Sequence, residues 1–106
     1  MRLRYYTTAR GDRPVANYIE GLSRADQAVI AAALAEIAER GFKARGVTFR
    51  QIDGKLWEVR IGPHRIFYVL LHHEDMVLLH AYRKQTHKAP ARHLEIARRR
   101  MREVLR

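Results

Sequence analysis

The chain has 106 residues, no cysteine, a hydrophobic fraction of 47% and a formal net charge of +10. That length supports one domain with a single modest core, and the missing cysteines exclude disulfides and thiolate metal sites and suit a reducing cytoplasm. No apolar run approaches the roughly 18 residues of a membrane span, so a cytoplasmic protein with no membrane partner is expected.

The charge is unevenly spread. Residues 83–106 hold nine Lys or Arg against two Glu, which is +7 of the total +10. Such an imbalance predicts a polyanionic partner: nucleic acid, a ribosome or an acidic protein.

In chain order, Met1 to Tyr6 carries no apolar signal region and Leu3 to Thr7 reads as a short strand. Asp12 is placed to cap a first helix with Pro14 in its first turn. Val15, Tyr18, Ile19 and Leu22 follow at helical spacing. Ser23 and Asp26 have the spacing of a capping box for a second helix, which runs to about Arg40 and stops at Gly41. Its apolar stripe is Ile30, Leu34, Ile37 and Ala38, with Val29 and Ala33 alongside. Gly41 to Gly46 is a basic loop carrying Lys43 and Arg45. A weak strand, Val47 to Ile52, ends at the turn pair Asp53-Gly54.

Three strand-like runs then form an antiparallel meander from Trp57 to Lys84, broken at Gly62-Pro63 and near Glu74-Asp75. Strict alternation puts Trp57, Val59 and Ile61 opposite Leu56, Glu58 and Arg60. It puts Ile66, Tyr68 and Leu70 opposite Arg65, Phe67, Val69 and Leu71, and Met76, Leu78, His80 and Tyr82 opposite Val77, Leu79, Ala81 and Arg83. One face should pack under the helices, and the other should carry Arg60 and Arg65 on a concave surface. Gln85 to Ala89 reads as a polar connection. Pro90 opens a last helix with Leu94, Ala97, Met101, Val104 and Leu105 on one face. The fold class is therefore α+β, with two N-terminal helices on a small, mostly antiparallel sheet and a basic C-terminal helix, all in one domain spanning residues 1–106.

Unpaired guanidinium groups are costly to bury, so Arg60 and Arg65 within apolar strands point to a site. The histidines at 64, 72, 73, 80, 87 and 93 lack the helical spacing of a zinc hydrolase, and no Gly-rich phosphate loop is present. No metal and no cofactor is expected. RNA cleavage needs neither, because the ribose 2′-OH is the nucleophile. The protein must orient it, stabilise charge on the phosphate and move protons. Arg60, Arg65, Tyr82, Arg83, Lys84, His87 and Lys88 supply such groups. Arg92, Arg98, Arg99 and Arg102 of the last helix, with Lys43 and Arg45, are candidates for RNA or ribosome contacts.

Three motifs stand together: Leu56-Trp57-Glu58-Val59-Arg60, Gly62-Pro63-His64-Arg65-Ile66-Phe67-Tyr68, and Leu79 to Pro90 with its Lys84-x-Thr86-x-Lys88-x-Pro90 core. With these the chain resembles the RelE/HigB-like toxins of type II toxin–antitoxin systems, closest to the phage-derived branch of that superfamily. The resemblance spans nearly the whole chain. It implies a RelE-like fold and a ribosome-dependent endoribonuclease that cuts mRNA in the decoding site. It also implies neutralisation by a cognate antitoxin, commonly a helix-turn-helix protein from an adjacent gene. By position Arg65 matches the family's phosphate-binding arginine, Arg60 the basic residue of the preceding strand, and Lys84 and Lys88 the basic motif after the last strand. Tyr82, His80 and His87 are the candidates for general acid or base. Two alternatives remain: a ParE-like inhibitor of DNA gyrase without nuclease activity, and a non-toxic phage protein that binds nucleic acid.

Overall fold

The computed structural model of the protein describes residues 1–85 and 90–106. The elements are β1 (Arg2–Tyr5), α1 (Pro14–Glu20), α2 (Arg24–Arg40), β2 (Thr48–Asp53), β3 (Leu56–Ile61), β4 (His64–Leu71), β5 (Asp75–Arg83) and α3 (Ala91–Val104). A single 3-10 turn, Gly41–Lys43, follows α2. His87 and Lys88 lie outside the described residues.

The architecture is α+β, with three helices and one five-stranded sheet ordered β1-β5-β4-β3-β2. β2 through β5 pair antiparallel, as the meander expects, whereas β1 runs parallel to β5. Two helices separate β1 from the other strands, so no hairpin fixes its direction. The sheet is therefore mixed.

Local chemistry explains most boundaries. The Ser23 hydroxyl accepts from the Asp26 N–H at 3.1 Å and starts α2. Gly41, at φ +60°, ends it, in backbone space that a side chain disfavours. Asp12 does not cap α1: Arg13 holds the capping position and no side chain caps it. Asp12 is drawn instead into a tight loop, in which its N–H reaches the Thr8 hydroxyl and its carbonyl accepts from the Thr8 N–H. Gly62 and Pro63 join β3 to β4 as a two-residue hairpin closed by the Ile61–His64 pair. Gly62 takes φ +56° at its first central position, where glycine is favoured.

Helices cover both faces. Val15, Ile30, Leu34 and Ile37 of α1 and α2 pack against Val59, Ile61, Ile66, Tyr68, Met76, Leu78 and Ala81. The opposite face buries Leu56, Phe67, Val69, Val77, Leu79 and Tyr82 against Ala97, with Leu94 and Met101 of α3 alongside. The second face is thus not an open concavity at this end, because the apolar stripe of α3 needs a partner too. Ala38, read as part of the α2 stripe, is exposed, and Val29, placed alongside it, is 52% exposed.

One irregularity changes which residues meet. Phe67 pairs with His80, but Tyr68 pairs with Leu78, so Leu79 is an extra residue on β5. Such a bulge shifts the alternation by one position. Before it, Met76 and Leu78 face α1 and α2. After it, Ala81 takes that face, and Tyr82 joins Val77 and Leu79 on the α3 side. The sequence alternation had placed His80 and Tyr82 with Met76 and Leu78; the bulge turns them to the face of Arg60 and Arg65.

Candidate functional site

Strand register builds the site from cross-strand rows. One row runs Thr48, Arg60, Arg65, Tyr82 across β2, β3, β4 and β5, and the next runs Arg50, Glu58, Phe67, His80. Directly opposed side chains are near neighbours, so Arg60 and Arg65 form a like-charge pair. Like charges directly opposite one another destabilise a strand pair unless each finds its own partner. The structure offsets this by giving each arginine its own acceptor. Glu58, 3% exposed, takes the Arg60 Nε–H at 3.1 Å. Arg65 folds back on its own turn, donating from Nη1 to the Gly62 carbonyl at 2.7 Å and the His64 carbonyl at 3.2 Å. The Arg65 Nε is buried with no partner among the described residues. Arg65 as a whole is half-buried, and a phosphate oxygen is an acceptor of the kind its exposed N–H groups take.

Tyr82 lies beside this pair, 4% exposed. Burial pushes its phenol above the ordinary value; Glu58 adds to that, while Arg65, Arg60 and Arg50 oppose it. Tyr82 therefore keeps its proton. Lys84 is held nearby, since its N–H donates to the Pro63 carbonyl at 2.9 Å and ties the end of β5 to the turn before Arg65.

Helix α3 contributes the other half. His93 stacks on Tyr82, with centroids 4.4 Å apart and planes 12° from parallel. His93 Nδ1 lies 2.7 Å from His80 Nε2. Arg100 donates to the Leu79 carbonyl at 2.9 Å and reaches His80 Nδ1 at 3.3 Å. Arginine carries donors only, so His80 Nδ1 must accept. Neutral His80 then holds its proton on Nε2 and donates it to His93 Nδ1. That leaves His93 with an Nε2–H donor. Arg100 thus sets both tautomers and opposes protonation of His80.

Burial lowers His80 to about 4, with His93, Arg100 and Arg92 adding to the effect; His93 is lowered too, first by its burial and then by Arg92. A histidine depressed in the fold contributes stability that is full above its unfolded value of about 6.5 and lost as pH falls toward the folded value. Acid should therefore destabilise the protein between about pH 6.5 and pH 4. Urea melts across that range should show a shallower pH slope for His80→Asn than for the parent protein. Equal slopes would mean His80 is not the titrating group.

The structure brings together Arg60, Arg65, Tyr82, His80 and, through its backbone, Lys84. It separates Arg83, which lies on the other side of the sheet and donates to Asp26 of α2 at 3.3 Å. Lys43 and Arg45 are exposed at the end of α2, where the Arg45 N–H donates to Glu36 at 2.9 Å. Arg98 pairs with Asp53 at 3.5 Å. Arg92, Arg99 and Arg102 are exposed along one stripe of α3. His87 and Lys88 were expected here but fall outside the described residues. Sequence reasoning missed Arg50, Glu58, His93 and Arg100 as site residues. His93 and Arg100 share the spacing of Ala97 at i, i+4, i+7, a signal that could have placed them on the inward side.

Among the described residues, no three His, Cys, Asp or Glu side chains are grouped to hold a metal ion, and no helix is long and apolar enough to cross a membrane. No curated protein matches the chain. The model of a family described as phage-derived protein Gp49-like (DUF891) matches residues 17–102, from within α1 to the last turns of α3. It therefore takes in the whole Arg60–Arg65–His93 constellation, and the chain belongs to that Gp49-like family.

Proposed function

We propose that this protein is the toxin of a type II toxin–antitoxin system, with a RelE-like fold, acting in the cytoplasm as a ribosome-dependent mRNA endonuclease. Its family is toxin-like, of the RelE/HigB kind. The observation that carries the nuclease reading is the opposed Arg60–Arg65 pair, with the Arg65 Nε lacking an acceptor among the described residues. Two guanidinium groups there bind the scissile phosphate and stabilise the charge it gains when the 2′-OH attacks. The His93 Nε2–H adds a third donor. His80 has both ring nitrogens engaged, so it positions His93 rather than moving protons itself. Tyr82 retains a proton to donate, and Lys84 positions the RNA backbone. Arg92, Arg99 and Arg102 supply a phosphate-contacting stripe for ribosomal RNA. The partner that neutralises the toxin is an antitoxin from the adjacent gene, expected to carry a helix-turn-helix.

Expression without that partner should arrest growth and leave cut mRNAs, mapped by primer extension, only on translated messages. Growth arrest with intact mRNA, relieved in a host with resistant gyrase, would overturn the nuclease reading.

The α3 stripe makes a separate prediction. Phosphate contacts are sequence-independent and salt-sensitive. Replacing Arg99 and Arg102 by Gln should reduce the slope of log affinity against log salt for ribosome binding by about 1 to 2 while the thermal melt is unchanged. An unaltered slope would mean these arginines form a solvated face only.

A further inference from the structure

A second feature lies on the opposite face of the sheet, away from Arg65. Phe42, Phe49, Trp57, Tyr68 and Leu70 line a pocket of about 420 Å³. Phe42, from the 3-10 turn, sits edge-on to Phe49 with centroids 5.0 Å apart, and Phe49 sits edge-on to Tyr68 at 6.2 Å. Helix α2 ends before it can cover this part of the sheet, and Phe42 is left 47% exposed. An exposed aromatic rim over an apolar pocket is a feature of recognition surfaces.

Tyr68 makes the pocket more than a packing fault. It is fully buried, yet its hydroxyl has no hydrogen-bond partner among the described residues. Burial alone pushes its pKa upward, so the group stays protonated and available as a donor. A buried hydroxyl left unpaired destabilises the free protein, and the loss is recovered when an acceptor arrives. The occupant must therefore bring an acceptor as well as apolar bulk.

Two observations identify its class. Exposed Lys43 and Arg45 stand beside Phe42, in a stretch from Arg40 to Ile52 that holds no acidic residue. The pocket also adjoins β2, the last strand of the sheet, whose outer edge is unpaired among the described residues. Such an edge offers main-chain groups to another extended chain, with a neighbouring pocket to select its side chain.

We infer that this surface docks an extended, acidic protein segment, which anchors one bulky apolar side chain between Phe42 and Trp57 and accepts a hydrogen bond from the Tyr68 hydroxyl. The inference does not depend on the nuclease reading, because the pocket and Arg65 lie on opposite faces of the sheet.

Trp57 is the single tryptophan and lines the pocket, so it reports binding directly. The probe is a blocked pentapeptide, Asp-Glu-Phe-Glu-Asp, titrated into the intact protein while Trp57 fluorescence is followed. Saturable binding is expected. An Ala-centred peptide and a Lys-flanked peptide should each bind at least about tenfold more weakly, since a lost aromatic anchor or an inverted charge removes most of the affinity. Tyr68→Phe should weaken the acidic peptide several-fold while leaving the melting temperature equal or higher, a combination a purely structural tyrosine does not give. Phe42→Ser, at an exposed site, should abolish binding with the fold intact. Equal binding of the Lys-flanked peptide, or unchanged affinity in Tyr68→Phe, would overturn the inference. So would free indole binding as tightly as the peptide, which makes this a small-molecule pocket. A Trp57 signal that depends on protein concentration alone would identify a second copy of the chain as the occupant and overturn it equally.

Discussion

Replacing Arg65 by Ala should lower the rate of mRNA cleavage on the ribosome by about a hundredfold or more, because a donor aimed at developing charge is worth about 2.7–4 kcal/mol. The placement of Arg65 is what makes it the strongest candidate. It follows the Gly62-Pro63 hairpin, opposes Arg60 across the β3–β4 ladder, and keeps a buried Nε without a partner among the described residues. Its stability cost should be small but measurable. The Nη1 group donates to two carbonyls of its own turn. Neutral hydrogen bonds contribute about 0.5–1.5 kcal/mol each, and those made by a charged group about 1.5–3. The exposed Gly62 carbonyl can be taken over by water, so a loss of about 1 kcal/mol is expected. Arg65→Lys should keep the charge and most of the stability but lose the forked donor geometry, and so recover little of the rate. Thermal melts beside single-turnover cleavage separate these effects. An Arg65→Ala protein that unfolds would make the residue structural. One that cleaves at the parent rate would put the site elsewhere.

The second large effect belongs to His93. Its Nε2–H is a donor that α3 can offer the site, with the ring held by the His80–Arg100 chain and by the stack on Tyr82. His93→Ala should cost about a hundredfold in single-turnover rate, in the range of losing one preorganised donor. His93→Gln, which can still present an N–H, should recover part of it. Arg100→Leu should act through His93. With Arg100 gone, its opposition to protonation of His80 disappears, so the acid limb of the pH–rate profile should move toward higher pH. A profile unchanged by Arg100→Leu, with full activity in His93→Ala, would show that α3 is only a lid over Leu79 and Tyr82.

Much of this arrangement was legible in the sequence because it rests on periodicity. Ile30, Leu34 and Ile37 announced the buried side of α2, and the Gly62-Pro63 break announced the hairpin that presents Arg65. The three meander motifs led toward a phage-derived family, and the chain belongs to one. What escaped was set by tertiary pairing. The extra residue at Leu79 has no mark in a run that reads Met76-Val77-Leu78-Leu79-His80, yet it decides that Tyr82 and His80 face Arg65 rather than the α2 side. Arg83 went the other way for the same reason and found Asp26. Asp12 had the composition of a cap, but Thr8 competed for it. In the sequence His93 stands only among six scattered histidines, and the docking of α3 places its ring on Tyr82.

The most direct measurement is single-turnover incubation of the purified protein with ribosomes programmed with end-labelled mRNA, beside the same mRNA free in solution. Cutting is expected at one position on the ribosome-bound message, with little cutting of free RNA and loss of the product when the cleaved nucleotide carries a 2′-deoxyribose. Intact mRNA on programmed ribosomes, or cleavage that persists at the 2′-deoxy position, would contradict it.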